Sequence, residues 1–165
     1  LGASLCSLRR PACDACPLST LCVAHAQGRP EAFPVKTRKL KRGQRTQVLL
    51  WLTQGDRVWL VQRPQTGVWA SLWTLPEVDS EGALWALTQD WPGEGRGLPA
   101  FKHVLTHLDL HLQPCHWSLP DEVVGAGLQR LEASLPAGRW VPLEAALALG
   151  LPAPIRRLLE AGPPL

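Results

Sequence analysis

Four cysteines near the start of the chain limit the structure of this segment more than any other feature of the sequence. Their spacing is C-x6-C-x2-C-x5-C, formed by Cys6, Cys13, Cys16 and Cys22. Disulfides need an oxidising compartment, and no secretory signal pattern is present. Structural zinc typically uses two C-x2-C pairs, whereas only Cys13 and Cys16 form such a pair. Wide, unequal spacings suit thiolates that converge on a larger inorganic core, so the pattern favours an iron–sulfur cluster, with zinc and disulfides as alternatives.

The basic residues are concentrated in the first part of the chain. Residues 1–45 carry a net charge of +7 and the other 120 residues carry −4, which gives +3 for all 165 residues. Such asymmetry is typical of a polyanion-binding segment beside a more neutral domain. A solvated linker is the alternative interpretation and would be preferred for an isolated basic run. Here the run follows the cysteines, and that position favours a polyanion partner.

The chain contains no methionine and begins with Leu1. We therefore expect it to be the C-terminal part of a longer protein. Its length fits one domain with a short appendage. No run of eighteen apolar residues occurs, so neither a membrane span nor a membrane partner is expected.

Periodicity and turn residues divide the rest of the chain into predicted elements. In order, these are a linker at 23–45, a hairpin of strands 46–53 and 57–63, a Pro/Gly/Trp-rich loop at 63–77, a helix at 80–91, an alternating segment at 101–119, a strand at 138–143, and helices at 143–149 and 154–161. Ser80 is a suitable N-cap for the first helix, and Pro154 is a suitable first residue for the last one. Strands interleaved with helices indicate an α/β or α+β fold of roughly 120 residues.

The cysteine segment resembles a known family. LGASLCSLRRPACDACPLSTLC is similar to the four-iron four-sulfur loop of the endonuclease III-like DNA glycosylases. The resemblance implies a 4Fe-4S cluster held by the four cysteines, with a structural and DNA-positioning role. It also implies that Arg9 and Arg10, between the first two cysteines, bind DNA phosphates, which guanidinium groups contact bidentately.

The order strand, strand, loop, helix resembles the Nudix fold. The matching segments are Gln62-Arg63-Pro64, Gly67 and Leu75-Pro76-Glu77. A Nudix pyrophosphatase uses a helix with an R-E-x-x-E-E element to hold a divalent metal ion, because magnesium requires several oxygen ligands. The predicted helix offers only Glu81 and Asp90, so metal-dependent hydrolysis is not expected.

The chain combines a cluster loop, a basic linker and a Nudix-like domain that lacks the acidic metal-binding helix. This combination resembles, nearly end to end, the C-terminal portion of the A/G-specific adenine DNA glycosylases, the MutY family. The specific segments are the cysteine spacing, FPVK, QRPQTGVWASLWTLPE and FKHVLTHLDLHL. The implied fold is a Nudix-like mixed sheet flanked by helices, preceded by the end of a helical glycosylase domain. We expect residues 1–24 to end that domain, 25–45 to form a basic interdomain linker, and 46–165 to form a lesion-recognition domain.

The resemblance also implies which residues contact DNA. The backbone contacts are assigned to Arg9, Arg10, Lys36, Arg38, Lys39, Lys41 and Arg42. The family carries a Phe-Ser-His signature between two strands, whose central residue is associated with 8-oxoguanine. Leu105, Thr106 and His107 occupy those positions here. Thr106 keeps a hydroxyl that can donate or accept a hydrogen bond, while Leu105 lacks the aromatic ring.

The implied function is that of one part of a repair enzyme. The complete protein would excise adenine mispaired with 8-oxoguanine or guanine, after flipping the base out of double-stranded DNA. The catalytic Glu and Asp of the family lie upstream of Leu1, so no catalytic residue is expected in this chain. We expect a monomer in the bacterial cytoplasm, associated with the nucleoid. The alternatives are a Nudix-type nucleotide pyrophosphatase and a zinc-type DNA-binding module without an enzymatic parent.

Overall fold

The first part of the chain is built from short turns. The structure is a computed structural model that describes residues 1–2, 4–33, 35 and 41–163, and it divides into two units, Leu1–Lys41 and Arg42–Leu165. The boundary lies inside the predicted linker 25–45. Unit 1 contains single 3-10 turns at Cys13–Ala15, Ser19–Leu21 and Pro30–Ala32 and the short helix α1 (Val23–Ala26). Among its described residues, none is buried.

Unit 2 contains the long strands and the longer helices. Its elements are β1 (Gly43–Gln54), β2 (Arg57–Gln62), β3 (Trp73–Thr74), β4 (Glu77–Val78), α2 (Glu81–Thr88), β5 (Glu94–Gly97), β6 (Phe101–Val104), β7 (Leu108–Leu119), α3 (Gly125–Ala133), β8 (Gly138–Pro142), α4 (Leu143–Ala148) and α5 (Ala153–Ala161). No helix in the described part of the chain is long and apolar enough to cross a bilayer.

The strands form one mixed sheet with β1 at its centre. The order is β3-β2-β1-β7-β5, with β4 paired to β1, β6 to β7 and β8 to β2. β1 and β2 form the predicted antiparallel hairpin, and Gly55 at its turn has a φ of +57°, which favours glycine. β1 also runs parallel to β7 over its whole length, from Gly43 opposite Leu108 to Gln54 opposite Leu119. The mixed α/β architecture with a helix-flanked sheet is therefore confirmed.

The sheet is covered on both faces. From β1, Leu49 and Trp51 enter one core with residues of α4 and α5. Val48, Leu50 and Leu52 enter the other core with residues of α2 and α3. This explains why residues 48–52 of β1 form a continuous apolar run instead of strict alternation, since neither face of this part of the strand is open to water.

Several local predictions are confirmed in detail. The Ser80 side chain caps α2 by accepting a hydrogen bond from the Ala83 backbone N–H at 3.1 Å, although the helix ends at Thr88 and not at 91. Pro154 lies in the first turn of α5. The alternating segment 101–119 is two strands, β6 and β7, separated by a turn, and Leu110 and Leu112 face the core as the alternation predicts.

Four elements of unit 2 are not in the sequence-based prediction: the two-residue strands β3 and β4, the helix α3 and the strand β5. Helix α3 begins with Gly125 and contains Gly127, and glycine disfavours helices, which hides its pattern. Strand β5 has the sequence EGRG, without apolar residues, and pairs at the sheet edge with β7. A side chain at position 95 would collide with the indole of Trp117, so glycine lets the two strands approach here.

Candidate nucleic-acid interface

The four cysteines of unit 1 surround a single cavity. Cys6, Cys13, Cys16 and Cys22 all line a space of about 350 Å³, together with apolar residues such as Leu5. Backbone turns bring them there: the Cys16 N–H donates to the Cys13 carbonyl at 3.0 Å, and the Cys22 N–H donates to the Ser19 carbonyl at 3.3 Å. Residues separated by up to sixteen positions thus line one cavity.

Cys13 is influenced by the three other cysteines that line the cavity. Burial by surrounding atoms raises the pKa of Cys13, and the neighbouring Cys22, Cys16 and Cys6 raise this pKa further. Four thiolates around one space repel each other, and a positively charged metal core would remove that repulsion. The cavity volume and the donor set fit a multinuclear core, for which cysteine thiolates are the usual ligands.

The basic residues of unit 1 are exposed where the structure describes them. Arg9 and Arg10 lie on the turn between the first two cysteines, and the Ser7 hydroxyl donates to the Arg10 carbonyl at 2.6 Å. Lys41 is exposed as well. The assigned residues Lys36, Arg38 and Lys39 lie outside the described residues.

The recognition turn, residues 105–107, connects β6 to β7 in unit 2. The two strands pair from Phe101 opposite Leu112 to Val104 opposite Asp109. The Leu105 N–H donates to the Leu108 carbonyl at 2.8 Å and closes the turn. Leu105 is half-buried and packs against the core, whereas Thr106 and His107 are exposed. The structure therefore presents two of the three assigned lesion-contact residues to solvent.

Arg42 and the first residue of β1, Gly43, form hydrogen bonds with the recognition turn. The Arg42 guanidinium donates to the Leu105 carbonyl at 2.9 Å and to the Thr106 carbonyl at 3.4 Å. The Gly43 N–H donates to the His107 carbonyl at 3.0 Å. Arg42, assigned from the sequence to the DNA backbone, thus has contacts within its own domain.

Asp109 completes this arrangement below the turn. Its carboxylate forms ion pairs with Arg42 and, at 2.6 Å, with the Lys102 ammonium. Hydrogen bonds from Lys102 and then from Arg42 hold the pKa of Asp109 below its ordinary value. Sequence reasoning did not identify Asp109 or Lys102 as parts of the site, because no local pattern connects them to residue 42.

A second polar network involves Glu77. One of its carboxylate oxygens pairs with Arg63, and the other accepts a hydrogen bond from the Gln47 amide at 2.8 Å. Arg63 also donates to the Val68 carbonyl at 3.3 Å, in the loop that precedes β3. In that loop Trp69 has a φ of +57° and Ser71 a φ of +61°, which places two non-glycine residues in the left-handed region. Such backbone strain is not visible in a sequence.

Residues 47–161, most of unit 2, match the family description of the NUDIX domain. The chain belongs to the NUDIX domain family. Relatives named adenine DNA glycosylase match beyond this domain: one from Buchnera aphidicola (subsp. Schizaphis graminum) is 22% identical over 97% of this chain and 46% of its own length. One from Rattus norvegicus is 26% identical over 87% of this chain and 37% of its own length. The chain thus spans less than half of either relative.

A solved structure also resembles this chain in fold. The C-terminal domain of mouse MUTYH, solved in complex with human PCNA, is 23% identical with a TM-score of 0.51, and the match covers 70% of this chain and 84% of that chain. At this identity the likeness supports the fold alone.

The NUDIX domain of this chain uses its acidic residues in an unusual way. Both carboxylate oxygens of Glu77 are occupied by protein donors, and the helix α2 contributes only Glu81 as an acidic residue. Within the described ranges 1–2, 4–33, 35 and 41–163, no group of three or more His, Cys, Asp or Glu residues is arranged to hold one metal ion, and this includes the four cysteines of unit 1.

Proposed function

We propose that this chain is part of an adenine DNA glycosylase, in which unit 1 binds the DNA backbone and the NUDIX domain recognises 8-oxoguanine opposite adenine. The main support for this proposal is that a relative named adenine DNA glycosylase matches 97% of the chain, which includes both the cysteine segment and the NUDIX domain. A hydrolase of free nucleotides has no evident use for a four-cysteine segment with a basic turn. The boundaries 1–24, 25–45 and 46–165 are part of this proposal.

The cofactor we propose is a 4Fe-4S cluster held by Cys6, Cys13, Cys16 and Cys22. Their convergence on one cavity supports it, since metal ligands must meet in space whatever their spacing in sequence. When bound, such a cluster supplies cross-links between distant positions of a short segment. An iron–sulfur protein absorbs broadly at about 400 nm. A colourless sample that contains stoichiometric zinc would instead support the zinc-type module.

The DNA contacts follow from the exposed cations. Arg9 and Arg10 lie on a turn between two proposed cluster ligands, so the cluster would fix the position of their backbone. Together with Lys41 and the basic residues Lys36, Arg38 and Lys39, they would bind phosphates without regard to sequence. We propose that this contact positions the duplex while the complete protein flips and excises the adenine.

Lesion recognition is assigned to the recognition turn. Thr106 and His107 are exposed on a turn whose backbone is fixed by hydrogen bonds from two sides. The Thr106 hydroxyl can donate to or accept from the edge of an oxidised guanine, and His107 provides a ring nitrogen nearby. Discrimination by hydrogen bonds requires that the groups be held in place before binding.

The experiment measures the affinity of the chain for duplexes with adenine opposite 8-oxoguanine or opposite guanine. We expect tighter binding to the 8-oxoguanine duplex, and we expect Thr106→Ala to lower this ratio by up to about tenfold, the loss of one hydrogen bond. Thr106→Ser should keep the ratio, since the hydroxyl remains. Thr66→Ala, at an exposed threonine in the loop after β2, is the matched control. An equal ratio for Thr106→Ala and the parent chain would refute the role of the hydroxyl.

A further inference from the structure

Residues 42 and 43 donate to every backbone carbonyl of the recognition turn. Arg42 donates to the carbonyls of Leu105 and Thr106, and the Gly43 N–H donates to that of His107. Three successive carbonyls thereby accept hydrogen bonds from two adjacent residues. A turn held in this way has little freedom to rotate its peptide planes, because each rotation breaks a hydrogen bond.

The Arg42 guanidinium is itself held in place. Its Nη2 group contacts the Asp109 carboxylate as well as the Leu105 carbonyl, and Asp109 is shared with Lys102 from β6. The side chain of Asp109 is 10% exposed and that of Arg42 is 46% exposed, so the pair lies at the edge of the domain with the carboxylate inside. The planar fork of arginine can satisfy two carbonyls and a carboxylate together, which the single ammonium of lysine cannot do.

We propose that Arg42 is a positioning residue that sets the conformation of the recognition turn for lesion binding, and that it is not a contact to the DNA backbone. The proposal rests on the function proposed above, since the turn must contact the lesion for its conformation to matter. Arg42 is the first residue of unit 2 and lies near the end of the proposed linker 25–45. Its hydrogen bonds to the recognition turn lie within unit 2.

The test compares Arg42→Ala, Arg42→Lys and Asp109→Asn in the whole chain. Arg130→Ala is the matched control, because Arg130 is an exposed arginine whose hydrogen bond stays within its own helix, to the Ala126 carbonyl at 3.2 Å. Two quantities are measured: hydrogen exchange at the amides of Gly43 and Leu105, both of which close the turn, and the ratio of affinities for the 8-oxoguanine and guanine duplexes.

We expect Arg42→Ala to accelerate exchange at both amides about tenfold, the effect of losing a charge-assisted hydrogen bond, and to lower the affinity ratio severalfold. Arg42→Lys keeps the charge but not the fork, so it should resemble Arg42→Ala in both measurements. Asp109→Asn should shift both in the same direction by less. Arg130→Ala should leave both unchanged.

The possible outcomes distinguish a failure of this inference about Arg42 from a failure of the proposed lesion recognition. Unchanged amide exchange in Arg42→Ala, combined with an equal loss of affinity for both duplexes and recovery in Arg42→Lys, would overturn the inference and make Arg42 a phosphate contact. Accelerated exchange in a chain whose parent has no preference for 8-oxoguanine would instead overturn the proposed lesion recognition.

Discussion

The two units of this chain are stabilised in different ways. The NUDIX domain buries Leu49, Leu50 and Leu60 completely and packs apolar side chains against both faces of its sheet. Unit 1 buries no residue among those described, and Leu21 and Val23 are 80% and 67% exposed. A segment of this size has too little apolar surface to fold by burial alone.

The two units therefore differ in the interaction that stabilises their folded state. In the NUDIX domain, burial of apolar area is the dominant favourable term. In unit 1, the feature that joins distant residues is the cavity lined by four cysteines. Ligand binding at such a site contributes directly to folding, since the unfolded segment cannot offer four ligands at once. The following predictions test whether the two interactions are independent.

The largest expected effect is the loss of order in unit 1 when one cysteine is removed. We expect Cys13→Ala to abolish the absorbance of the proposed cluster at about 400 nm and to expose unit 1 to rapid proteolysis, because three cysteines would not hold the proposed core in place. The melting temperature of the NUDIX domain should stay the same. Limited proteolysis followed by mass spectrometry identifies which unit is cut.

Cys115→Ala is the control for this change. Cys115 lies in β7, packs against the core of the NUDIX domain and does not line the cavity of unit 1. Its substitution should leave the absorbance and the proteolysis of unit 1 as in the parent chain. A stable, protease-resistant unit 1 in Cys13→Ala would show that the segment is ordered without the cluster.

A core substitution should destabilise the NUDIX domain and leave unit 1 unchanged. Ile155 in α5 is fully buried, and Ile155→Ala should lower the free energy of unfolding of the NUDIX domain by about 2–5 kcal/mol. Val124→Ala, at a 67% exposed side chain, should change it by less than about 0.5 kcal/mol. Urea unfolding monitored by tryptophan fluorescence gives both values. Loss of the absorbance of the proposed cluster in the same urea transition as the domain, shifted together with it by Ile155→Ala, would mean that the two units are coupled.

The smallest effect concerns pH. Because Lys102 and Arg42 depress the pKa of Asp109 in the folded state, its ionisation stabilises the NUDIX domain above the unfolded pKa of about 3.9. This contribution is lost as the pH falls below that value and through the lower folded pKa. Urea unfolding at pH about 6 and about 3 should therefore show a larger decrease for the parent chain than for Asp109→Asn. An identical decrease in both would show that the ion pairs add nothing to stability.

The sequence was sufficient for those parts of the fold in which local pattern and final environment agree. The apolar run of β1, the alternation of Leu110 and Leu112, and the Ser80 cap each predict what the structure has. Helix α3 and strand β5 were not predicted, because their glycines carry no apolar pattern and their formation depends on neighbouring strands.

The sequence could predict which residues belong to the candidate site, but not which of them contact each other in the folded chain. The cysteine spacing predicts the ligands of the proposed cluster, because metal sites restrict both residue type and separation. The contact between Arg42 and Leu105 joins residues 63 positions apart, and nothing in either local sequence indicates it. Arg42 was consequently assigned to DNA with its basic neighbours, whereas its hydrogen bonds lie within the domain.

The parallel pairing of β1 with β7 also determines when the recognition turn can form. Strands this far apart in the chain pair only after a large loop has closed, and such non-local contacts make folding slow. During synthesis, β1 leaves the ribosome long before its partner exists. The turn therefore acquires its final shape only after β7 has been made, while α3, β8, α4 and α5 are still to follow. A partly folded molecule would then display the basic segment before residues 105–107 have their final conformation.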